Sequence, residues 1–156
     1  ILPPAPLVMT WEFAYNKPDI DAIPAMPSLQ ILSPTWFHLL DGEGNMKNLA
    51  DPAYVNWARS RGYLLWALVS NSFDREITAE VLSSSSLRRK VMDQLLIYAR
   101  LYDLEGLNID FENFHYTYGG YFTQFIRELA PLCAEEGLVL SVAVSMVSEE
   151  PNWSKG

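Results

Sequence analysis

In the segment Leu104-Glu105-Gly106-Leu107-Asn108-Ile109-Asp110-Phe111-Glu112-Asn113, apolar and polar side chains alternate with the period of a β-strand. Leu107, Ile109 and Phe111 fall on one face, and Asn108, Asp110 and Glu112 on the other. The apolar face suits packing against helices. The polar face has two readings. It is either the wet side of an edge strand, or it points into a barrel interior that Val, Ile and Leu normally fill. In the second case two carboxyl groups stand one above the other. Burying them is costly unless they are paired or share a proton. A shared proton raises the pKa of one member, which is how a general acid stays protonated near neutral pH. The strand is central in chain order and runs into Asn113-Phe114-His115-Tyr116-Thr117-Tyr118. Catalytic groups of barrels lie at the carboxyl ends of strands, where Glu112 and Asn113 fall.

Outward from this strand, four more short apolar runs recur at residues 7–15, 29–38, 63–70 and 138–144, with helical segments between the later ones. Asp51 before Pro52 reads as an N-cap followed by proline at the first helical position, and Gly62 as the closing glycine. Ser86 is placed to cap a helix over 87–102, with Val91, Leu95, Tyr98 and Tyr102 in a stripe. Gly119 and Gly120 precede a helix over 121–136 that carries Phe122, Phe125, Ile126, Leu129 and Cys133 on one face, with Gly137 at its end. Alternating strands and helices predict an α/β fold of parallel βαβ units. The first connection, with Pro18, Pro24 and Pro27, leaves room for little more than a turn of helix. An open doubly wound sheet and a partial (β/α)8 TIM barrel both fit this order. No glycine-rich phosphate loop follows the first strand, which weakens the nucleotide-binding sheet. A whole barrel takes about 250 residues, so 156 residues hold roughly the first five βα units.

The composition is 49% hydrophobic with 19% charged residues, enough apolar material for one packed domain. Eleven Lys and Arg against 19 Asp and Glu give a net charge of −8. Nucleic acid is therefore not expected as a partner, since its backbone needs a basic face. A membrane is not expected either, because the longest mostly apolar stretch, 138–148, is too short to span one. Cys133 is alone, so no disulfide framework is available. His38 and His115 lack metal-ligand spacing, and neither a metal nor a cofactor is expected. The chain begins at Ile1 without a basic leader and ends in Trp153-Ser154-Lys155-Gly156. The expectation is an excised portion of a longer protein, with any targeting signal outside it.

The stretch Glu105-Gly106-Leu107-Asn108-Ile109-Asp110-Phe111-Glu112 resembles the active-site signature of glycoside hydrolase family 18, the chitinase-like enzymes, written D-G-x-D-x-D-x-E. The final Asp-x-Glu matches, while Asn108 and Glu105 stand where the middle and leading acids belong. The asparagine form is similar to the bacterial spore-cortex and cell-wall hydrolase branch. So are Ser33-Pro34-Thr35-Trp36-Phe37, Trp66-Ala67-Leu68-Val69-Ser70-Asn71-Ser72-Phe73 and Leu138-Val139-Leu140-Ser141-Val142. The resemblance implies that residues 1–156 are the N-terminal portion of one catalytic (β/α)8 domain. It implies Glu112 as general acid, Asp110 as the holder of the substrate's 2-acetamido group, and Asn108 as a hydrogen-bond partner of Asp110. The implied activity is retaining hydrolysis of β-1,4 bonds in N-acetylated glycans, peptidoglycan or chitin, with the acetamido carbonyl as nucleophile. It places the protein outside the cell, at the wall or spore envelope. A carbohydrate-binding relative, or a piece inactive alone, is the alternative.

Further candidates for sugar contact flank these residues. Trp36, near the end of the second strand, is either a stacking platform or core. Glu12 is either a sugar-contacting carboxylate or a surface charge. Asn71 either contacts sugar or caps a turn, and Asn113 and Tyr116 lie on the loop beyond Glu112. The runs at 7–15 and 138–144 are expected to be open edges, which invite pairing between copies.

Overall fold

The computed structural model describes residues 6–14, 19–24 and 26–144. Tyr15, Pro18 and residues 145–148 and 153–156 of the expectations above lie outside the described residues. Strands β1 (Met9–Glu12), β2 (Ile31–Leu39), β4 (Leu64–Ser70), β5 (Gly106–Asp110) and β6 (Val139–Val142) lie side by side in chain order, all parallel. A short β3 (Met46–Asn48) adds an antiparallel partner to the upper end of β2. Helices α1 (Pro52–Ser60), α2 (Arg75–Ser83), α3 (Ser85–Leu101) and α4 (Gly119–Glu135) fill the later connections.

The helices decide between the two expected architectures. Leu32, Leu65, Ala67, Val69, Leu107 and Ile109 from one face of the sheet join a single core with Tyr54, Val55 and Ala58 of α1, Val81 and Leu82 of α2, Val91 and Leu95 of α3, and Phe125 and Leu129 of α4. A doubly wound sheet carries helices on both faces and reverses its strand order. Here the strand order runs one way and the described helices pack on one face, so the chain is a partial (β/α)8 barrel of five parallel strands. Its other face, with Ile31, Ser33, Trp66, Leu68, Ser70, Gly106, Asn108 and Asp110, is the barrel interior.

Local chemistry sets the element ends. The Asp51 carboxylate accepts from the Ala53 amide 2.9 Å away and Pro52 opens α1. Gly62, just past its end, has φ +79°. The third helix starts earlier than expected. Ser84, not Ser86, accepts from the Leu87 amide, because Ser84 also closes the preceding α2. That helix, capped by the Asp74 carboxylate on the Glu76 and Ile77 amides, was not expected. Gly119 and Gly120 form the first turn of α4 rather than preceding it. Arg88 ties α2, α3 and α4 together, donating to the Glu128 carboxylate at 2.8 Å and to the Leu82 carbonyl at 2.7 Å. Gly106 lets β5 cross Trp66 closely, since a Cβ there would sit 2.8 Å from both the Trp66 ring and the Val139 carbonyl.

Candidate active site

The alternation along β5 places its side chains as expected. Leu107 and Ile109 are buried against the helices, while Asn108 and Asp110 face the barrel interior. Asp110 lies in register with Ser70 of β4, and Ser70 with His38 of β2, so three polar side chains cross the top of the interior in one layer. The Ser70 hydroxyl and His38 Nδ1 are 3.2 Å apart, and His38 Nε2 is 2.8 Å from the Thr35 carbonyl. A carbonyl only accepts, so it takes the Nε2 proton. Burial holds His38 below its ordinary value; the bond to Thr35 opposes this and the Lys47 charge adds to it. The layer is neutral up to Asp110.

Asp110 and Glu112 meet at the carboxyl end of β5. Burial, then the charge of Glu112, then a hydrogen bond to its carboxylate hold Asp110 above the ordinary aspartate value. A bond that raises the pKa favours the protonated form of Asp110. Asp110 is half-buried and Glu112 is exposed on the rim. Two carboxyl groups thus meet at a solvent-accessible strand end, with the protonated form of Asp110 favoured, the kind of setting general acid work uses.

Asn108 is buried one layer below. Its amide donates to Ser33 Oγ at 3.3 Å and accepts from Ser141 Oγ at 2.9 Å. The expected bond to Asp110 is not made, because the amide is taken up by hydroxyls of β2 and β6. Asn108 therefore knits three strands and leaves Asp110 to Glu112. Glu105, at the lower end of β5, likewise serves the sheet, accepting from the Leu65 amide at 2.7 Å.

Three of the expected sugar contacts are placed elsewhere. Trp36 is 1% exposed and packs on the helix side of the sheet, edge-on to Tyr54 at 5.6 Å and near Tyr102. The cause is a β-bulge: Thr35 pairs with Leu68 but Phe37 with Val69, so Trp36 is an extra residue and both aromatics turn outward. Glu12 pairs with Pro34, one position beyond the inward Ser33, and acts on Tyr54, so it too lies on the helix side. Asn71 is 1% exposed and its amide is committed to protein. Its Oδ1 accepts from the Glu112 amide at 3.0 Å, and its Nδ2 donates to the Glu112 carbonyl at 2.6 Å and to Thr78 Oγ1 at 3.0 Å.

The other two lie on the rim beyond Glu112. Asn113, at φ +54°, donates to the Phe73 carbonyl at 2.9 Å and accepts from Arg75 Nε at 3.0 Å, so its amide ties two loops. Tyr116 is 74% exposed and packs its ring against His115. Ser33, Ser70 and Ser141 were not singled out as site residues. Each is a small polar break inside an apolar strand, at positions that point into the barrel.

A one-way parallel sheet, helices on its outer face and a carboxyl pair at the inner strand end define the class by fold: one side of a (β/α)8 barrel. The spore cortex-lytic enzyme SleL of Bacillus megaterium QM B1551 superposes with a TM-score of 0.79 at 16% identity, over 97% of this chain and 39% of that one. A chitinase from Bacteroides thetaiotaomicron gives 0.75 at 14% identity, over 88% of this chain and 46% of that one. The Uncharacterized glycosylase YvbX of Bacillus subtilis (strain 168) is 24% identical over an alignment of 109 residues that covers 64% of this chain and 32% of YvbX. The chain thus spans about a third of the length of this curated relative and less than half of these two solved chains. No family model matches the chain.

Proposed function

We propose that residues 1–156 are the acid-bearing N-terminal portion of one family 18-like catalytic domain. In this reading it is a retaining glycosidase acting on β-1,4 bonds of glycans that contain N-acetylglucosamine. The observation that carries this is the Asp110–Glu112 pair at the carboxyl end of an inward strand, with Asp110 held above the ordinary aspartate value by burial and by Glu112. The relatives named for glycosylase, chitinase and cortex-lytic activity support the substrate class.

In this reading the pair holds one proton, carried by Asp110 at rest, and the chemistry follows from it. As the acetamido N–H of the sugar on the non-leaving side approaches Asp110, the carboxylate form of Asp110 is favoured and the proton passes to Glu112. Glu112 gives it to the glycosidic oxygen while the acetamido carbonyl oxygen attacks C1, breaking the C1–O bond and forming an oxazolinium ion. Asp110 accepts the N–H and offsets the positive charge. Glu112, now a carboxylate, takes a proton from water as the water oxygen attacks C1 and reopens the ring. Two inversions give net retention without a second nucleophilic carboxylate. Peptidoglycan of the wall or spore cortex and chitin both present this unit, which places the action outside the cell.

The test is reducing-end release from N-acetylglucosamine oligomers and from peptidoglycan, with Glu112→Gln as control. Release abolished by the substitution supports the reading. Release that survives it removes Glu112 as the acid. Activity seen only when the chain is extended through an eighth strand would make this portion necessary but insufficient. The edges β1 and β6, which carry no further strand among the described residues, also support association with further strands, so light scattering at high concentration is expected to show self-association of the isolated chain.

A further inference from the structure

The β4–β5 ladder ends with Ser70 opposite Asp110, so the backbone of Glu112 has no strand residue beside it. Beyond that point the two chains diverge. Ser72 and Phe73 adopt φ +58° and +56°, and Asn113 adopts +54°. Asn71 bridges the gap. A side-chain amide is a peptide group in miniature, and that of Asn71 bonds both the N–H and the C=O of Glu112, adding one more rung to the ladder. Its remaining hydrogen goes to Thr78 Oγ1 on α2. Thr78 donates its own proton to the Asp74 carbonyl, so its lone pair faces Asn71 and fixes which end of the amide is which. Asn113 adds a second tie to the same loop through Phe73 and Arg75. Holding both backbone polar groups of Glu112 fixes the direction in which its side chain leaves the strand end, and hence its reach to Asp110.

We propose that Asn71 is the positioning residue of the acid: buried and out of reach of substrate, it sets the Glu112 carboxyl against Asp110 by clamping the Glu112 backbone. The inference rests on the glycosidase reading for its role, and on the observed bonds alone for its existence. Among the described residues, the groups that face the pair are these. Ser70 and His38 face it from β4 and β2, neither charged. Arg75 of α2 is engaged with Asn113, and Ser141 of β6 is engaged with Asn108. With respect to these described groups, a change in titration on altering Asn71 reports the Asp110–Glu112 contact.

The experiment is carboxyl-carbon NMR titration of Asp110 and Glu112, with hydrogen exchange of the Glu112 amide, in the intact chain and in Asn71→Ala. The expected result is a dispersed, folded spectrum in which the Asp110 midpoint falls toward the ordinary aspartate range and the Glu112 amide exchanges at least about tenfold faster. An unchanged midpoint and unchanged exchange in the folded variant overturn the proposal. Should Asn71→Ala not fold, Thr78→Val keeps the outline of the threonine and frees the Asn71 amide to turn. It is expected to shift both readouts in the same direction and less, and no shift overturns the proposal. Where hydrolysis of N-acetylglucosamine oligomers is measurable, Asn71→Ala lowers kcat with KM within about twofold. A loss confined to KM would make Asn71 a substrate contact and overturn the proposal. Absence of hydrolysis in every form tells against the glycosidase reading, and the NMR arms still decide Asn71.

Discussion

The two faces of the sheet are built from the same strands and obey opposite rules. On the outer face Leu32, Trp36, Phe37, Leu65, Val69, Leu107 and Ile109 are closed under four helices, and almost nothing polar intrudes. On the inner face the same strands set Ser33, His38, Ser70, Asn108 and Asp110 among the buried Ile31, Trp66 and Leu68, and Glu112 stands exposed at the rim. Apolar burial is non-directional, so the outer face holds the fold through area and fit. Hydrogen bonds are directional and costly to leave unmade, so the inner face holds geometry rather than bulk stability. The difference teaches that this portion of a barrel can be well packed on its outside while its chemical face remains half enclosed.

The largest expected effect separates the faces at Trp36. Trp36→Ala should cost about 4 kcal/mol of stability by urea denaturation, since it empties a large buried volume. Its effect on glycan binding by the surviving folded fraction should be negligible. Loss of binding without loss of stability would return Trp36 to the inner face. Gly106→Ala drives a methyl group into the Trp66 ring and the Val139 carbonyl and should cost about 2 kcal/mol, read as a lowered denaturation midpoint. A neutral result would mean that β5 and Trp66 are not in such close contact.

A smaller effect sits among the helices. Arg88 first, with Gln124 in support, holds Glu128 down to about 2. A depressed carboxylate contributes stability above its unfolded value and loses it as pH falls through the folded value. The acid-denaturation curve should therefore lose stability between the ordinary glutamate range and about pH 2. Glu128→Gln should flatten that part of the curve and cost about 1 kcal/mol at pH 7. The smallest effect is on the inner face and has the opposite sign. Asp110 is raised, so its ionisation weakens the fold as pH climbs from the ordinary aspartate range through the folded value. Asp110→Asn should slightly raise Tm at pH 7, leave it unchanged at low pH, and abolish hydrolysis. A lowered Tm at pH 7 would mean that the carboxyl pair supports the fold.

Most of the outer face was legible because period and caps are local signals. The alternation along β5, the Asp51-Pro52 start and Gly62 end of α1, and the stripe of α4 all lie within one element. The misplacements share one cause, which is information carried by a neighbour far away in sequence. One extra residue in β2 turns Trp36 outward, and it shows only in the pairing of β2 with β4. Glu12 sits on the face set by its pairing with Pro34. Asn71 is used by a backbone 41 residues away, so no local pattern reveals the clamp. Ser83 to Ser86 offer four chemically equal caps, and only the packing of α2 against α3 selects Ser84. The short β3 forms because it can borrow the free upper side of β2.

The central claim is that the inner carboxyl pair works with the substrate's own acetamido group. The most direct measurement is the anomeric form of the first product by proton NMR, using fully N-acetylated and N-deacetylated glucosamine oligomers side by side. The chain is used alone and extended through the remaining strands of the barrel. The account predicts that only the N-acetylated oligomer is cleaved and that the β-anomer appears first. Cleavage of the deacetylated oligomer at a comparable rate, or first appearance of the α-anomer, would contradict it.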